Sequence, residues 1–263
     1  MPADSKSLTD RPATVTFRGT SGPLVVVIAA YNEAGAIRST LARIPAEICG
    51  VGLSVIVVVD GATDDTAGEA RKAGAYVWEM PDNRGQGAAL RLGYRLAREH
   101  GARYIATLDA DGQYDPAELA SVVAPIVEDD ADFVTGSRRL GAAHTTDRVR
   151  GAGVVVFAWL VSLLTGQRIT DPANGLRAMR AAVTEAVPLE QPQYQAAELL
   201  VGAMLRGFRV VEVPTTMYPR TAGTTKKGGN LVYGLRFARV ILTTWWRDRG
   251  SARQRQPAGR SRT

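Results

Sequence analysis

Two aspartates one residue apart, Asp109 and Asp111, with Gln113 two positions further on, directly follow an apolar run at residues 104–108. Hard carboxylate and amide oxygens at this spacing suit Mg2+ or Mn2+ holding phosphate oxygens. A divalent ion there would neutralise charge on a departing diphosphate. The pair also reads as an acidic turn before a helix, although Asp115-Pro116 can supply that N-cap by itself. A further carboxylate, Asp60, ends the run Val57-Val58-Val59. It can accept hydrogen bonds from a base or ribose, and Gly61 permits a tight turn behind it. Asp64 reads mainly as a cap for the helix that follows. Asn83-Arg84-Gly85-Gln86-Gly87 opens another helix and resembles a phosphate cradle, without the Gly-Lys-Ser/Thr ending of a Walker motif. A plain turn would look the same.

These groups need elements that bring them to one edge. Leu24–Ala30 is a continuous apolar, β-branched run, the pattern of a strand buried on both faces. Residues 53–59 repeat that pattern and end at Asp60; residues 75–79, 104–108 and 132–136 read as three more strands. Helical patterns fall between them at residues 33–44, 64–73, 87–100 and 116–128. Strands alternating with helices predict an α/β domain with a mostly parallel, doubly wound sheet. In such sheets ligands bind beyond the carboxyl ends of the strands. The segments 31–33, 60–66 and 109–113 all sit at such ends. After residue 136 come an Arg-bearing loop, an apolar helix at 154–164, a turn at 171–175 and a helix near 196–206. A strand at 209–213, a polar glycine-rich loop at 220–229 and a helical pattern at 230–246 complete the chain. Glu198 reads either as a buried helix acid or as an orienter of other groups.

Of the 263 residues, 45% are apolar and 22% charged, enough for a sizeable globular core. Residues 1–22 lack the apolar run of a signal peptide and read as a flexible leader. The longest apolar run, 154–164, falls short of the ~20 residues that span a bilayer. The formal net charge is +6, and residues 247–263 hold six Arg against one Asp. No aromatic-basic interleaving or nucleic-acid motif accompanies that charge. This argues against nucleic acid and leaves a membrane surface or a phosphorylated substrate. The single cysteine, Cys49, cannot form an internal disulfide and reads as a small core residue in a reducing cytoplasm. His100 and His144 read as structural or solvated.

Four segments occur in order: Ala29-Ala30-Tyr31-Asn32-Glu33, Val59-Asp60-Gly61-Ala62-Thr63-Asp64-Asp65-Thr66, Asn83-Arg84-Gly85-Gln86-Gly87 and Asp109-Ala110-Asp111-Gly112-Gln113. Together they resemble glycosyltransferase family 2. Gly136-Ser137-Arg138, Asp171-Pro172-Ala173-Asn174-Gly175-Leu176-Arg177, Glu212-Val213-Pro214 and the run from Arg220 to Lys226 are similar to its dolichol-phosphate mannosyltransferase branch. The resemblance covers residues 24–227. It implies a GT-A fold, an α/β domain with a mostly parallel central sheet flanked by helices; the periodicity of residues 230–246 adds a C-terminal amphipathic helix. The implied organisation is a leader (1–22), a catalytic domain (23–228), an amphipathic helix (229–247) and a basic tail (248–263).

The resemblance further implies that Ala30, Tyr31, Glu33, Asp60, Gln86, Asp109 and Ala110 bind a nucleotide sugar. Asp109, Asp111 and Gln113 match the positions that hold Mg2+ or Mn2+ with the diphosphate. Arg138 and Arg148 match residues that receive a lipid phosphate. Arg220 and Lys226 lie on a loop that closes on the donor and act with Asp111 in catalysis. The chain departs from the family pattern at Val59, where paired acids are usual, and at Ala62, Gln86, Ala152 and Thr225.

The implied reaction is inverting transfer of a sugar from a GDP- or UDP-linked donor to a polyprenyl phosphate at the cytoplasmic membrane face. A phosphate is already anionic at neutral pH, so catalysis reduces to positioning and stabilisation of the leaving diphosphate. Transfer to a soluble sugar or polysaccharide is an alternative that calls for a carboxylate base, and the sequence offers no convincing one. A regulatory sugar-nucleotide-binding module without turnover is a second alternative. Membrane contact would fall to the helix at 230–246, unless an integral membrane partner provides it. There Leu231, Leu235, Ala238, Leu242 and Trp245 share one face, and Arg236, Arg239 and Arg247 lie on or beside the other, as in an interfacial helix. The helix at 154–164 would dip beside it. Packing of both helices on the core is the opposing reading.

Overall fold

The computed structural model describes residues 23–144, 148–219 and 230–250, with backbone only at 148–150 and 230–233. In chain order the elements are β1 (Leu24–Ala30), α1 (Ile37–Ala42), β2 (Glu47–Ile48), β3 (Val51–Asp60), α2 (Thr66–Lys72) and β4 (Tyr76–Met80). Then follow α3 (Gln86–Glu99), β5 (Tyr104–Thr107), α4 (Leu119–Val127), β6 (Phe133–Ala143) and α5 (Arg148–Thr165). β7 (Arg177–Arg180), α6 (Ala181–Ala186), α7 (Gln195–Leu205), β8 (Val210–Met217) and α8 (Asn230–Asp248) complete the order.

Among the described residues eight strands form one sheet in the order β2-β3-β1-β5-β7-β6-β8, with β4 also paired to β3. β1 runs parallel to β3 and β5, β3 to β4, and β6 to β8. β7 runs antiparallel to both β5 and β6, so the sheet is mixed at its centre. Alternate residues of β1 explain the layering, because successive side chains point to opposite faces. Val25 and Val27 join a core with α3, α7 and α8, while Leu24, Val26 and Ile28 join one with α1, α2 and α4. Gly93 lets α3 lie close on the sheet, since a Cβ there would strike Val27.

The α/β fold with helices on both faces is as expected. The sequence pattern carried no reading of β7 or α6, and it ended β6 at 136, whereas the strand continues to Ala143 past a register shift between Ser137 and Ala142. Cys49 is a correction: it is exposed, not a core residue. Cys49 and Gly50 form the tight turn between β2 and β3, with φ of 52° and 71°, the positive-φ pair a two-residue hairpin requires. Among the described residues no helix is long and apolar enough to cross a membrane.

Candidate active site

Because β1, β3 and β5 are parallel, their carboxyl ends open on one edge of the sheet. At the end of β3, buried Asp60 accepts the N–H groups of Arg84 (2.7 Å) and Gly85 (2.8 Å), one on each oxygen. Asp60 was expected to meet a nucleoside; its contacts here are with the 83–87 loop, because a buried carboxylate needs donors. Gly61 (φ 62°) leaves no room for a Cβ against the main chain of Asp82 and Asn83. Asp60 and Gly61 therefore fix the loop that opens α3.

Gln86, the first residue of α3, donates its Nε2 to Asp109 Oδ1 at 3.2 Å. This contact joins two motifs 23 residues apart in the chain. Asp111 is buried, and its Oδ1 accepts the Gln113 N–H at 3.0 Å. Gln113 turns its amide nitrogen to Tyr218 O (3.3 Å). At the end of β1, Tyr31 is half-buried and Glu33 buried. The Glu33 N–H reaches Thr66 Oγ1 (2.8 Å), and the Thr66 hydroxyl bonds Asp64. Asp64 also accepts from the N–H of Ala34 and of Thr66, the first residue of α2 (3.1 Å each), so it ties β1's exit to the start of α2; the N-cap position itself is Asp65. Burial raises its pKa, but the Thr66 hydroxyl and the two N–H groups prevail and hold it below the usual carboxylate range. The Ala30 and Ala110 side chains lie in the core, leaving only their main chain to meet a ligand.

The turn after α5 backs this edge. Thr107 Oγ1 donates to Gly175 O at 2.8 Å, and a Cβ on Gly175 would overlap the Asp109 carboxylate. Fully buried Arg177 donates to the carbonyls of Asn174 (2.7 Å) and Pro172 (3.2 Å), holding the turn's shape. Asp171 meets Arg138 of β6 through two bonds of 2.6 Å, to Nε and Nη2. Burial raises the Asp171 pKa, yet the Arg138 guanidinium outweighs that and holds the carboxyl below its usual range. Arg138, expected as an acceptor cation, pairs with Asp171, which braces its guanidinium. Sequence gave no sign of this partner, 33 residues away. Glu212 of β8 accepts the N–H groups of Thr170 and Asp171 (2.8 Å each), and Glu118 accepts the Thr216 N–H (2.9 Å).

Two carboxylates at an open strand end suit a hard divalent cation whose remaining ligands are phosphate and water. Among the described residues no third His, Cys, Asp or Glu completes a metal cluster with them. Arg220 and Lys226 lie outside the described residues, as does the side chain of Arg148, whose backbone starts α5. The segment leading to Arg220 is anchored at the Asp109–Gln113 loop: Tyr218 N–H donates to Gln113 O (2.8 Å), and the Tyr218 ring stacks on His144 at 5.5 Å.

An α/β sheet with acids at the ends of β3 and β5, facing a glycine-flanked helix start, defines a GT-A nucleotide-sugar transferase fold. Residues 25–186 match the model of Glycosyl transferase family 2, and the chain belongs to that family. It is 35% identical over 222 residues to the dolichyl-phosphate hexose transferase of Haloferax volcanii, covering 83% of this chain and 94% of that protein. It is 29% identical over 234 residues to the undecaprenyl-phosphate mannosyltransferase of Micrococcus luteus, covering 84% and 93%. Among solved structures, glucosyl-3-phosphoglycerate synthase from Mycobacterium tuberculosis, in complex with Mn2+, uridine diphosphate and phosphoglyceric acid, superposes with a TM-score of 0.68 at 21% identity. That match covers 89% of this chain and 84% of the other. The chain is thus a glycosyltransferase.

Proposed function

We propose that this glycosyltransferase moves a sugar from a GDP- or UDP-linked donor to a polyprenyl phosphate, working peripherally at the cytoplasmic face of a membrane. The observation that carries the acceptor reading is the state of the acids on the β6–β8 side. Asp171, Glu212 and Glu118 each already accept hydrogen bonds from the chain itself. Those bonds commit the three acids to holding the chain, whereas a phosphate acceptor brings its own negative charge and needs no base. The names of the Haloferax and Micrococcus relatives support the same acceptor class.

An acceptor phosphate oxygen forms the new bond to the anomeric carbon as the bond to the donor diphosphate breaks, inverting that carbon. Asp109 and Asp111 would hold Mg2+ or Mn2+, which would supply charge neutralisation to the leaving diphosphate; the Mn2+-bound structural neighbour supports this. Gln86 orients Asp109 through its 3.2 Å bond. Arg220 and Lys226 close over the diphosphate from the chain anchored at Tyr218. Arg138, braced by Asp171, and Arg148 receive the acceptor phosphate.

Incubation with labelled GDP- and UDP-sugars, Mn2+ and polyprenyl phosphate tests the reading. Label is expected in the organic phase and only when the lipid is present. Label that appears instead in a water-soluble product when sugars or 3-phosphoglycerate are supplied would refute the lipid acceptor.

A further inference from the structure

α8 packs on α7 and α5, and a continuous chain of direct contacts runs from it to the site. Glu198, in the first turn of α7, is fully buried. Its carboxylate accepts the N–H groups of Glu190 (3.0 Å) and Gln191 (3.1 Å) and the Nη1 of Arg247 on α8 (3.1 Å). Arg247 also donates to Pro188 O at 2.9 Å and pairs with Asp248 at 2.9 Å. A single guanidinium thus grips both the 188–190 segment and the carboxylate that orders it. A second attachment lies at the end of the same loop, where the Tyr194 ring (φ 61° at its backbone) meets Phe237 of α8 edge-on at 5.7 Å.

That loop then bears on the start of α3. Pro192 O accepts the Gly87 N–H at 2.9 Å, and Gln191 O accepts Arg91 Nη1 at 3.0 Å. The fit leaves no slack: a Cβ on Gly85 would lie 2.5 Å from Pro192 O, and one on Gly87 would overlap Gln191 O. On its other side the same turn carries Gln86, bonded to Asp109, and the two N–H groups held by Asp60. Buried charge-assisted bonds are strong and directional, so a shift of Arg247 or Glu198 is passed on rather than absorbed.

We propose that Glu198 and Arg247 are positioning residues for the donor site: they brace the 188–194 loop against the start of α3, so that α8 sets how firmly the nucleotide diphosphate is held. This rests on the reading of the Asp60–Gln86–Asp109 edge as the donor site. A pair that merely fastened α8 to α7 would alter the folded fraction without altering the affinity of the folded molecules.

Glu198→Gln and the partly exposed Arg247→Met separate these roles, with Arg247→Lys as the conservative variant. Amide exchange in residues 83–91 and 188–194 should quicken by about tenfold, while β1 keeps its wild-type protection. The dissociation constant of UDP or GDP with Mn2+ should rise about three- to tenfold, raising KM for the donor and leaving kcat within about twofold. Arg247→Lys should recover part of the affinity. The double variant should resemble either single one, because both act through one link. Wild-type exchange of both loops in Glu198→Gln and Arg247→Met would overturn the brace. So would a fall in kcat with unchanged KM. A wild-type chain that binds neither nucleotide would overturn the donor-site reading itself.

Discussion

Gly175 shows how tightly single residues set the chemistry. Its missing side chain is the space in which the Asp109 carboxylate lies. Gly175→Ala must displace that carboxylate from Gln86, so transfer should fall by roughly 10- to 100-fold while the fold persists. Asp111→Ala should do the same without changing the thermal midpoint, and near wild-type turnover in EDTA by either variant would argue against a metal. Asp171 sets a pH dependence. Its folded pKa is depressed, so its stabilisation is complete above the ordinary carboxylate value near ~4 and is lost as pH falls through the folded value. The thermal midpoint of Asp171→Asn should therefore be lower than wild type at pH 7, and the gap should shrink towards pH 2. A constant gap would contradict this. Asp60, Gln86, Asp109 and Asp111 were legible because carboxylates and glycines at strand ends carry their own pattern. Their mutual roles were not: that Asp60 grips a loop, and that Asp171 braces Arg138, depends on contacts between distant parts of the chain.

At the scale of elements, α8 was legible as a helix and, at Leu235 and Leu242, in the stripe it leaves exposed, but not at Trp245, whose Nε1 donates to Leu164 O, nor at Arg247. Phe237, Val240, Ile241, Thr244 and Asp248 face inward against α5 and α7. Arg247, read from the wheel as lying on or beside the polar face, is instead turned into the protein at 24% side-chain exposure. Periodicity locates an apolar stripe but does not say which of two stripes the core will take. The stripe left outside holds Leu235, Leu242 and Trp246 (67% exposed), flanked by Arg236 and Arg239. α5, which packs beside α8, adds Val155, Val156, Trp159 (64% exposed) and Leu163. Exposed tryptophans beside arginines suit the headgroup region of an anionic bilayer, and such a face is where a lipid acceptor would be met. The protein should float with anionic liposomes at low salt, and Trp159→Ser with Trp246→Ser should release it without lowering the thermal midpoint. Full-length protein that stays at the bottom of the gradient would point to an integral membrane partner instead.

In the whole molecule, the first half of the sheet was legible because β1, β3, β4 and β5 are apolar runs separated by amphipathic helices. β7 was not. Its sequence, Arg-Ala-Met-Arg, is four residues long with a charge at each end, and it is a strand only because β5 and β6 wait on either side of it. Burial of Arg177 within it is tolerated because three carbonyls accept its guanidinium. The position of β7 matters during synthesis. β5 and β6 both leave the ribosome before the strand that joins them, so each shows an unpaired edge until residues 177–180 emerge. Exposed edges of this kind invite pairing with other chains, and non-local pairing of this sort closes slowly. The short strand that is hardest to read in the sequence is therefore the one that covers β5 and one edge of β6, and the other edge of β6 waits for β8.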